Sequence, residues 1–237
     1  MKVIPVVGGS SSGKTTFIRS LVAELRGLGR VAAVKHLGGH PYMLEPGRDT
    51  TLYFEGGVEA SVGVDSEKSV YSVRSDSLDD VLRTLSERGI DYAVLEGWKS
   101  RPFPCIAIGD LETPHCVLRN PAPREVTAAL GEFPDYHSIG ELAREAGADQ
   151  VSGDILIAFR IRGIRPSGEA IIKMRGEVAA MPGVAGAAIA WSEDPGSPGK
   201  GFLLGAVRSP DALLAIAAMS EAIEQASRWR TKPDDRR

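Results

Sequence analysis

Short runs of consecutive apolar residues alternate with segments of helical periodicity along the N-terminal part of the chain. Residues 3–7 form such a run and lead into glycine, which predicts a buried strand that enters a turn. Apolar residues then recur at helical spacing from position 14 to about 25, and glycines follow them. The same pattern predicts strands at 31–34, 60–64, 69–73, 92–95, 105–108 and 116–118, and helices at 49–54, 77–88 and 141–146. Strands that alternate with helices favour an α/β fold, in which a parallel sheet carries helices on both faces.

A second unit is predicted beyond the small, polar segment at 147–153. Its pattern predicts strands at 155–161, 184–191 and 202–207, and helices at 169–180 and 211–227. That order suits a small α+β domain with antiparallel strand pairing. We therefore expect one domain at 1–147 and another at 150–237, with a flexible loop at 192–199.

The composition is that of a globular protein with a sizeable core, since 43% of the 237 residues are hydrophobic. The formal net charge of −3 does not favour a nucleic-acid partner. Cys105 and Cys116 lack metal-ligand spacing, which predicts reduced, largely buried thiols. No apolar run approaches about 18 residues, so we expect no membrane span. Candidate functional residues begin near the N-terminus, so we expect no signal peptide and a cytoplasmic location.

The glycine-rich turn after the first predicted strand carries the strongest chemical signal, because residues 8–15 match G-x-x-x-x-G-K-[ST] in full. Backbone N–H groups of such a loop can surround a β-phosphate, and the positive end of the following helix faces the phosphates. The position between an apolar strand and an amphipathic helix favours a phosphate-binding loop over a chance glycine- and serine-rich loop. The residues expected to contact the nucleotide are Gly8, Ser10, Ser11, Ser12, Gly13, Lys14, Thr15 and Thr16.

Three residues of this loop have separate expected roles. Lys14 would bridge the β- and γ-phosphates, Thr15 would give its hydroxyl to Mg²⁺, and Thr16 would meet the α-phosphate. The motif therefore predicts a phosphate-loop protein that binds a nucleoside triphosphate with Mg²⁺.

Polar residues also follow two other predicted strands. Glu96 could hold a Mg²⁺-bound water or orient an attacking water, which makes Glu96 and Lys14 the candidates for catalysis; the alternative is an ordinary strand end. Lys35 and His36 could meet a phosphate or a substrate anion, or have a structural role alone. Asp49 is a candidate for Mg²⁺ coordination through water, with helix N-capping as the alternative.

The residues that read the base are harder to find. The first 150 residues contain no N-K-x-D tetrapeptide, which often marks guanine recognition, and the variant at 231–234 lies in the C-terminal tail. Asn120 follows the predicted strand at 116–118, where a base-reading amide would be placed, so Asn120 is the candidate nucleotide contact at that edge.

The order of these motifs, at 8–16, 34–36, 46–50 and 94–99, resembles that of the MobB family, GTP-binding proteins of molybdopterin-guanine dinucleotide biosynthesis. The resemblance covers about residues 1–145. It implies GTP and Mg²⁺ as ligands, weak hydrolysis and a homodimer. It also implies a helper role beside the nucleotidyltransferase that joins GMP to molybdopterin.

The chain departs from the family pattern after the Lys-His pair. Family members usually carry two adjacent histidines there, followed by an Asp before Pro-Gly. Here residues 37–40 are Leu-Gly-Gly-His, and Glu45 stands in place of the Asp with altered spacing. The roles of His40 and Glu45 therefore stay open.

The C-terminal part, at about 150–237, weakly resembles MoaE, the large subunit of molybdopterin synthase. The similarity lies in residues 153–163, the helix around 174–181, the strand at 202–207 and Trp229–Arg230. The lysines and the His-Arg pair that serve the synthase are not recognisable, which implies lost synthase chemistry and leaves binding of a pterin such as molybdopterin, or of a partner. The alternative is an unrelated α+β domain.

Three functions remain open from the sequence. The first is a GTP-binding protein that assists molybdenum cofactor maturation, with slow hydrolysis because no arginine finger or water-positioning Gln is evident. The second is a small-molecule kinase or ligase in which Lys35 and His36 grip the acceptor. The third is a non-catalytic, nucleotide-dependent scaffold.

Overall fold

The computed structural model describes residues 1–39, 42–75, 77–149, 153–163, 166–194 and 200–228, with the backbone alone at position 228. The predicted loop at 192–199 and the polar segment at 147–153 fall partly outside these ranges. His40 and the C-terminal positions 229–237 fall wholly outside them.

The N-terminal unit is built on a five-stranded parallel sheet in the order β2-β5-β1-β6-β7. This arrangement confirms the predicted α/β class. Its sheet strands are β1 (Lys2–Gly8), β2 (Val31–Lys35), β5 (Tyr92–Glu96), β6 (Cys105–Ile108) and β7 (Cys116–Arg119). Its helices are α1 (Lys14–Leu25), α2 (Asp49–Glu55), α3 (Leu78–Glu87), α4 (Pro123–Ala128) and α5 (Ile139–Glu145).

Burial on both faces explains why the central strands read as continuous apolar runs. On one face, Leu21 and Leu25 of α1 pack with Ile4 of β1. On the opposite face, Leu82 of α3 packs with Leu95 of β5. Because all five strands are parallel, their carboxyl ends lie along one edge of the sheet.

A separate antiparallel hairpin of β3 (Ala60–Val64) and β4 (Ser69–Val73) lies outside the parallel sheet. One face of this hairpin lies against α2, since Ser61 Oγ donates a hydrogen bond to the Thr50 carbonyl at 2.7 Å. The other face is exposed.

The C-terminal unit contains a three-stranded antiparallel sheet, which confirms the predicted antiparallel pairing. The strand order is β8-β10-β9. Its elements are β8 (Ile155–Arg162), α6 (Gly168–Ala179), β9 (Gly186–Glu193), β10 (Gly201–Ser209) and α7 (Ala212–Arg228). Met174 of α6 and Ala218 of α7 are fully buried with Leu203 on one face of this sheet. Alanines on the buried stripe of α7 allow the helix to approach the strands closely.

Helix α5 joins the two units. Leu142 and Ala146 pack against Ala188, Leu204 and Ala206 of the three-stranded sheet, although α5 precedes the boundary expected at 147–150. On its other side, the Glu141 carboxylate accepts a hydrogen bond from Ser86 Oγ of α3 at 2.6 Å. The division into domains at that boundary stays a prediction.

None of the helices in the described part of the chain combines the length and apolar character needed to cross a membrane.

Candidate functional site

The loop between β1 and α1 has the backbone conformation that a phosphate-binding loop requires. Ser11 and Gly13 have φ values of 59° and 87°, in the left-handed region. Gly13 is the N-cap of α1, which begins at Lys14, and the first turn of α1 contains no acidic residue. The chain therefore turns sharply and presents the positive end of α1 at the edge of the sheet.

Gly8 forms the narrowest part of this loop. A Cβ atom at Gly8 would lie 2.5 Å from the Ile108 carbonyl oxygen and 2.6 Å from Ser12 Oγ. Contacts this short exclude any side chain, whereas a Cβ at Gly9 would meet nothing within 4 Å. The backbone at Gly8 is thus packed against the end of β6 and against Ser12 too closely to accept a side chain, so only glycine fits at this point of the turn.

Lys14 folds back over the loop. Its ammonium donates a hydrogen bond to the Gly9 carbonyl and lies 3.5 Å from Ser12 Oγ. Thr15 and Thr16 are exposed in the first turn of α1. The structure therefore brings together the loop residues that the motif singled out, with one cation and two hydroxyl groups on an open surface.

Lys35 and Glu96 are direct neighbours on β2 and β5. Lys35 Nζ lies 3.5 Å from Glu96 Oε1, and the Glu96 side chain is only 17% exposed. The same strand end is tied to β1, because Gly97 N donates to the Val6 carbonyl at 3.1 Å. Glu96 therefore lies next to the strand that leads into the phosphate loop, with its charge balanced by Lys35.

The His36 imidazole stacks on the Trp98 indole, with ring centroids 5.0 Å apart. A Cβ at Gly97 (φ 115°) would lie 2.8 Å from the His36 Cβ. Trp98 itself has φ 52°, which is rare for a bulky residue. Trp98 lies within the motif at 94–99, but the sequence does not indicate its contact with His36, because this contact depends on the pairing of two strands far apart in sequence.

Asn120 lies at the end of β7, on the predicted edge. Its Oδ1 accepts a hydrogen bond from Gly109 N at 2.6 Å, and its Nδ2 donates to the Gly109 carbonyl at 3.4 Å. The carboxamide thus faces the backbone of the neighbouring strand end.

No hydrogen bond or ion pair joins the Asp49 side chain to the phosphate loop at 8–16 within the described ranges. It is the first residue of α2, and Arg48 stands at the N-cap without a side-chain capping bond. The N-capping alternative for Asp49 is therefore wrong. Nearby, the hydrogen bond and charge of Arg48, 2.9 Å away, hold the pKa of Glu45 below its usual value.

The described residues contain no cluster of three or more His, Cys, Asp or Glu side chains that could hold a metal ion. A Mg²⁺ ion at this edge would take its protein ligand from an exposed hydroxyl such as that of Thr15, and its other ligands from phosphates and water. The open loop fits that coordination.

The two cysteines lie outside this loop. Cys105 and Cys116 are free thiols, and burial raises the pKa of Cys105 to about 11.

A parallel sheet with this loop after its central strand defines an α/β protein of the phosphate-loop class. The family model described as molybdopterin guanine dinucleotide synthesis protein B, MobB, matches residues 3–129, just over half of the chain. The chain belongs to the MobB family.

A curated relative from Methanocaldococcus jannaschii is named as a candidate molybdopterin-guanine dinucleotide biosynthesis adapter protein. It is 30% identical over 99 residues, which are 42% of this chain and 42% of the relative. The chain thus matches less than half the length of that relative.

Solved MobB structures show more distant similarity. Bacillus subtilis MobB is 22% identical with a TM-score of 0.45, over 56% of this chain and 98% of that one. A MobB homologue from Bacillus stearothermophilus is 22% identical with a TM-score of 0.37, over 55% and 94%. The family match ends at residue 129, so the resemblance of residues 150–237 to MoaE stays a prediction.

Proposed function

We propose that this chain is a GTP-binding adapter that uses Mg²⁺ and assists the nucleotidyltransferase of molybdopterin guanine dinucleotide synthesis. Membership of the MobB family supports the pathway. The observation that carries nucleotide binding is the loop itself, in which a closely packed glycine, two left-handed residues and a helix N-terminus lie next to Lys14.

We expect different residues of the loop to bind different parts of the triphosphate. The Lys14 ammonium, which bonds to the Gly9 carbonyl, would bind phosphate oxygens instead, because an anionic acceptor gives a stronger hydrogen bond than a neutral carbonyl. The Thr15 hydroxyl would hold Mg²⁺, and Thr16 would meet the α-phosphate. When bound, Mg²⁺ neutralises charge on the β- and γ-phosphates.

Slow hydrolysis agrees with the surroundings of Glu96. The ammonium of Lys35, 3.5 Å away, competes with water for the Glu96 carboxylate. A carboxylate engaged in this way is poorly placed to orient an attacking water, and His36 is held in a stack with Trp98. These contacts support a protein that holds GTP for longer than a fast GTPase would.

The β3–β4 hairpin supports the proposed homodimer. Residues that face each other across an antiparallel pair share one face. The exposed face of this hairpin carries Ala60, Val62, Val64, Tyr71 and Val73, and Val64 is 76% exposed. An isolated two-stranded hairpin is marginally stable in water, and a second copy would cover this apolar face.

An adapter needs a surface that binds its partner, and the C-terminal unit can supply one because it does not carry the nucleotide loop. We propose that it contacts the nucleotidyltransferase or molybdopterin, since the loop and its nucleotide occupy the opposite unit. Co-elution of the full chain with the nucleotidyltransferase, compared with a chain ending after residue 149, tests this placement.

Nucleotide competition tests the GTP assignment. Unlabelled GTP should displace a fluorescent GTP analogue at least tenfold more effectively than ATP, and single-turnover hydrolysis should be slow. A preference for ATP, or rapid transfer of phosphate to a small acceptor, would contradict the proposal and favour a kinase or ligase.

A further inference from the structure

The Asn120 side chain is hydrogen-bonded to the backbone at the end of strand β6. Its carboxamide makes two hydrogen bonds to the backbone of Gly109, at 2.6 Å and 3.4 Å. Its backbone N–H also donates to the Ala107 carbonyl at 2.9 Å. Three bonds therefore attach Asn120 to the residues that end β6.

The backbone conformation at this position favours asparagine. Asn120 has φ 44°, in the left-handed region where Asn is enriched among non-glycine residues. In that conformation the chain turns away after β7 and its carboxamide reaches back to Gly109. Conformation and side-chain bonding thus account for asparagine here without any contact to a base.

The segment that Asn120 binds, Ile108–Gly109, lies directly beside the phosphate loop. Gly109 has φ 77°, and a Cβ there would lie 3.1 Å from the Ser12 Cβ. Its neighbour Ile108 pairs with Gly8, and a Cβ on Gly8 would lie 2.5 Å from the Ile108 carbonyl. The end of β6 therefore lies close to the loop at two points, at both of which a glycine leaves the space for the approach.

Ser12 connects the end of β6 to the Lys14 ammonium. Ser12 Oγ lies 3.5 Å from Lys14 Nζ, and a Cβ on Gly8 would meet both side chains. Displacement of Gly109 would let Ser12 move and would change where the Lys14 ammonium lies.

We propose that Asn120 is a positioning residue for the phosphate loop, which acts through Gly109 and Ser12 rather than by reading the guanine base. This inference rests on the proposed function, because it concerns the same nucleotide site. It replaces the direct base contact expected from the sequence with a structural contact behind the loop.

A positioning residue and a base reader differ in which ligands they affect. Loss of loop geometry weakens every ligand that carries the triphosphate, with or without a base. Loss of a base contact weakens GTP and leaves inorganic tripolyphosphate unchanged. The ratio of the two effects therefore separates the two roles.

The experiment is calorimetric titration of the full chain with Mg²⁺ plus GTP, ATP or inorganic tripolyphosphate. Asn120→Gly removes the carboxamide and keeps the left-handed backbone without strain. Asn120→Asp keeps the oxygen that accepts from Gly109 N. Glu112→Gln, an exposed change in the same β6–β7 loop, is the matched control.

Asn120→Gly should weaken all three ligands by about tenfold, the effect of losing roughly one hydrogen bond. Asn120→Asp should recover only part of that loss, because it keeps the acceptor for Gly109 N but lacks the donor to the Gly109 carbonyl. Glu112→Gln should bind as the wild type does. A loss confined to GTP, or no loss in Asn120→Gly, would overturn the inference. Wild-type protein that bound none of the ligands would contradict the proposed function instead.

Discussion

A single atom at position 8 decides whether the phosphate loop can adopt its observed shape. Gly8 faces the Ile108 carbonyl across the β1–β6 pair, and the space for a Cβ is already taken by backbone. Backbone cannot move aside as cheaply as the end of a flexible side chain, so a methyl group at this position must displace either the loop or strand β6.

The pair Gly8→Ala and Gly9→Ala tests this difference with the same chemical change at neighbouring positions. Gly8→Ala should weaken Mg²⁺–GTP binding by at least tenfold, because the loop must shift to accept the methyl group. Gly9→Ala should bind as the wild type does, since a Cβ there meets nothing within 4 Å. Equal affinities of the two variants, measured by calorimetry, would show that the close packing at Gly8 is not needed for binding.

At the residue scale, the sequence predicts the site residues that are close together in the chain and misses contacts between residues that are far apart in it. Lys14 and Thr15 were identified because the loop motif is contiguous, and the folded structure places them together at the start of α1. The Asn120–Gly109 and His36–Trp98 contacts could not be found in that way. They arise only when separate strands pair, and no sequence spacing specifies which side chains then meet.

Among the elements, the β3–β4 hairpin exposes the clearest apolar face. Val62→Lys places a charge in the middle of that face and should convert a homodimer into a monomer, as measured by light scattering after size exclusion. Leu28→Lys changes another residue that is more than half exposed, away from the hairpin, and should leave the mass unchanged. A monomeric wild type, or a dimer that survives Val62→Lys, would contradict the proposed interface.

Helix α5 depends on Glu141, which both completes a capping box with Ser138 and bonds to Ser86 of α3. Burial opposes its ionised form, but hydrogen bonds from His137 and Ser86 outweigh burial and lower its pKa to about 2. The folded pKa lies below the ordinary value of 4.5. The stabilisation is therefore present above that value and is lost as the pH falls towards about 2.

Glu141→Ala should lower the free energy of unfolding by about 1–2 kcal/mol at pH 7, through loss of the cap and of a buried hydrogen bond. Between pH 6 and pH 3 the wild type should lose more stability than the variant, as measured by urea denaturation. Glu132→Ala, at an exposed position, should follow the wild-type profile. Parallel pH profiles for wild type and Glu141→Ala would contradict the assigned role.

At the scale of the whole molecule, two sheets of different kinds share helix α5. The alternation of strands and helices was enough to predict the parallel sheet, because each central strand is buried on both faces. The place of α5 was not predictable, since its seven residues include only one fully buried large side chain, Leu142. So short a pattern does not reveal which sheet a helix covers.

Binding of GTP at the loop is the central claim, and calorimetric titration of the full chain with Mg²⁺–GTP tests it most directly. Wild-type protein should bind one GTP per chain. Lys14→Ala should lose at least about a hundredfold in affinity, because it removes the only cation of the loop motif. Lys99→Ala removes an exposed cation after β5 and should bind normally. Full GTP affinity in Lys14→Ala, or no binding by the wild type, would contradict the account.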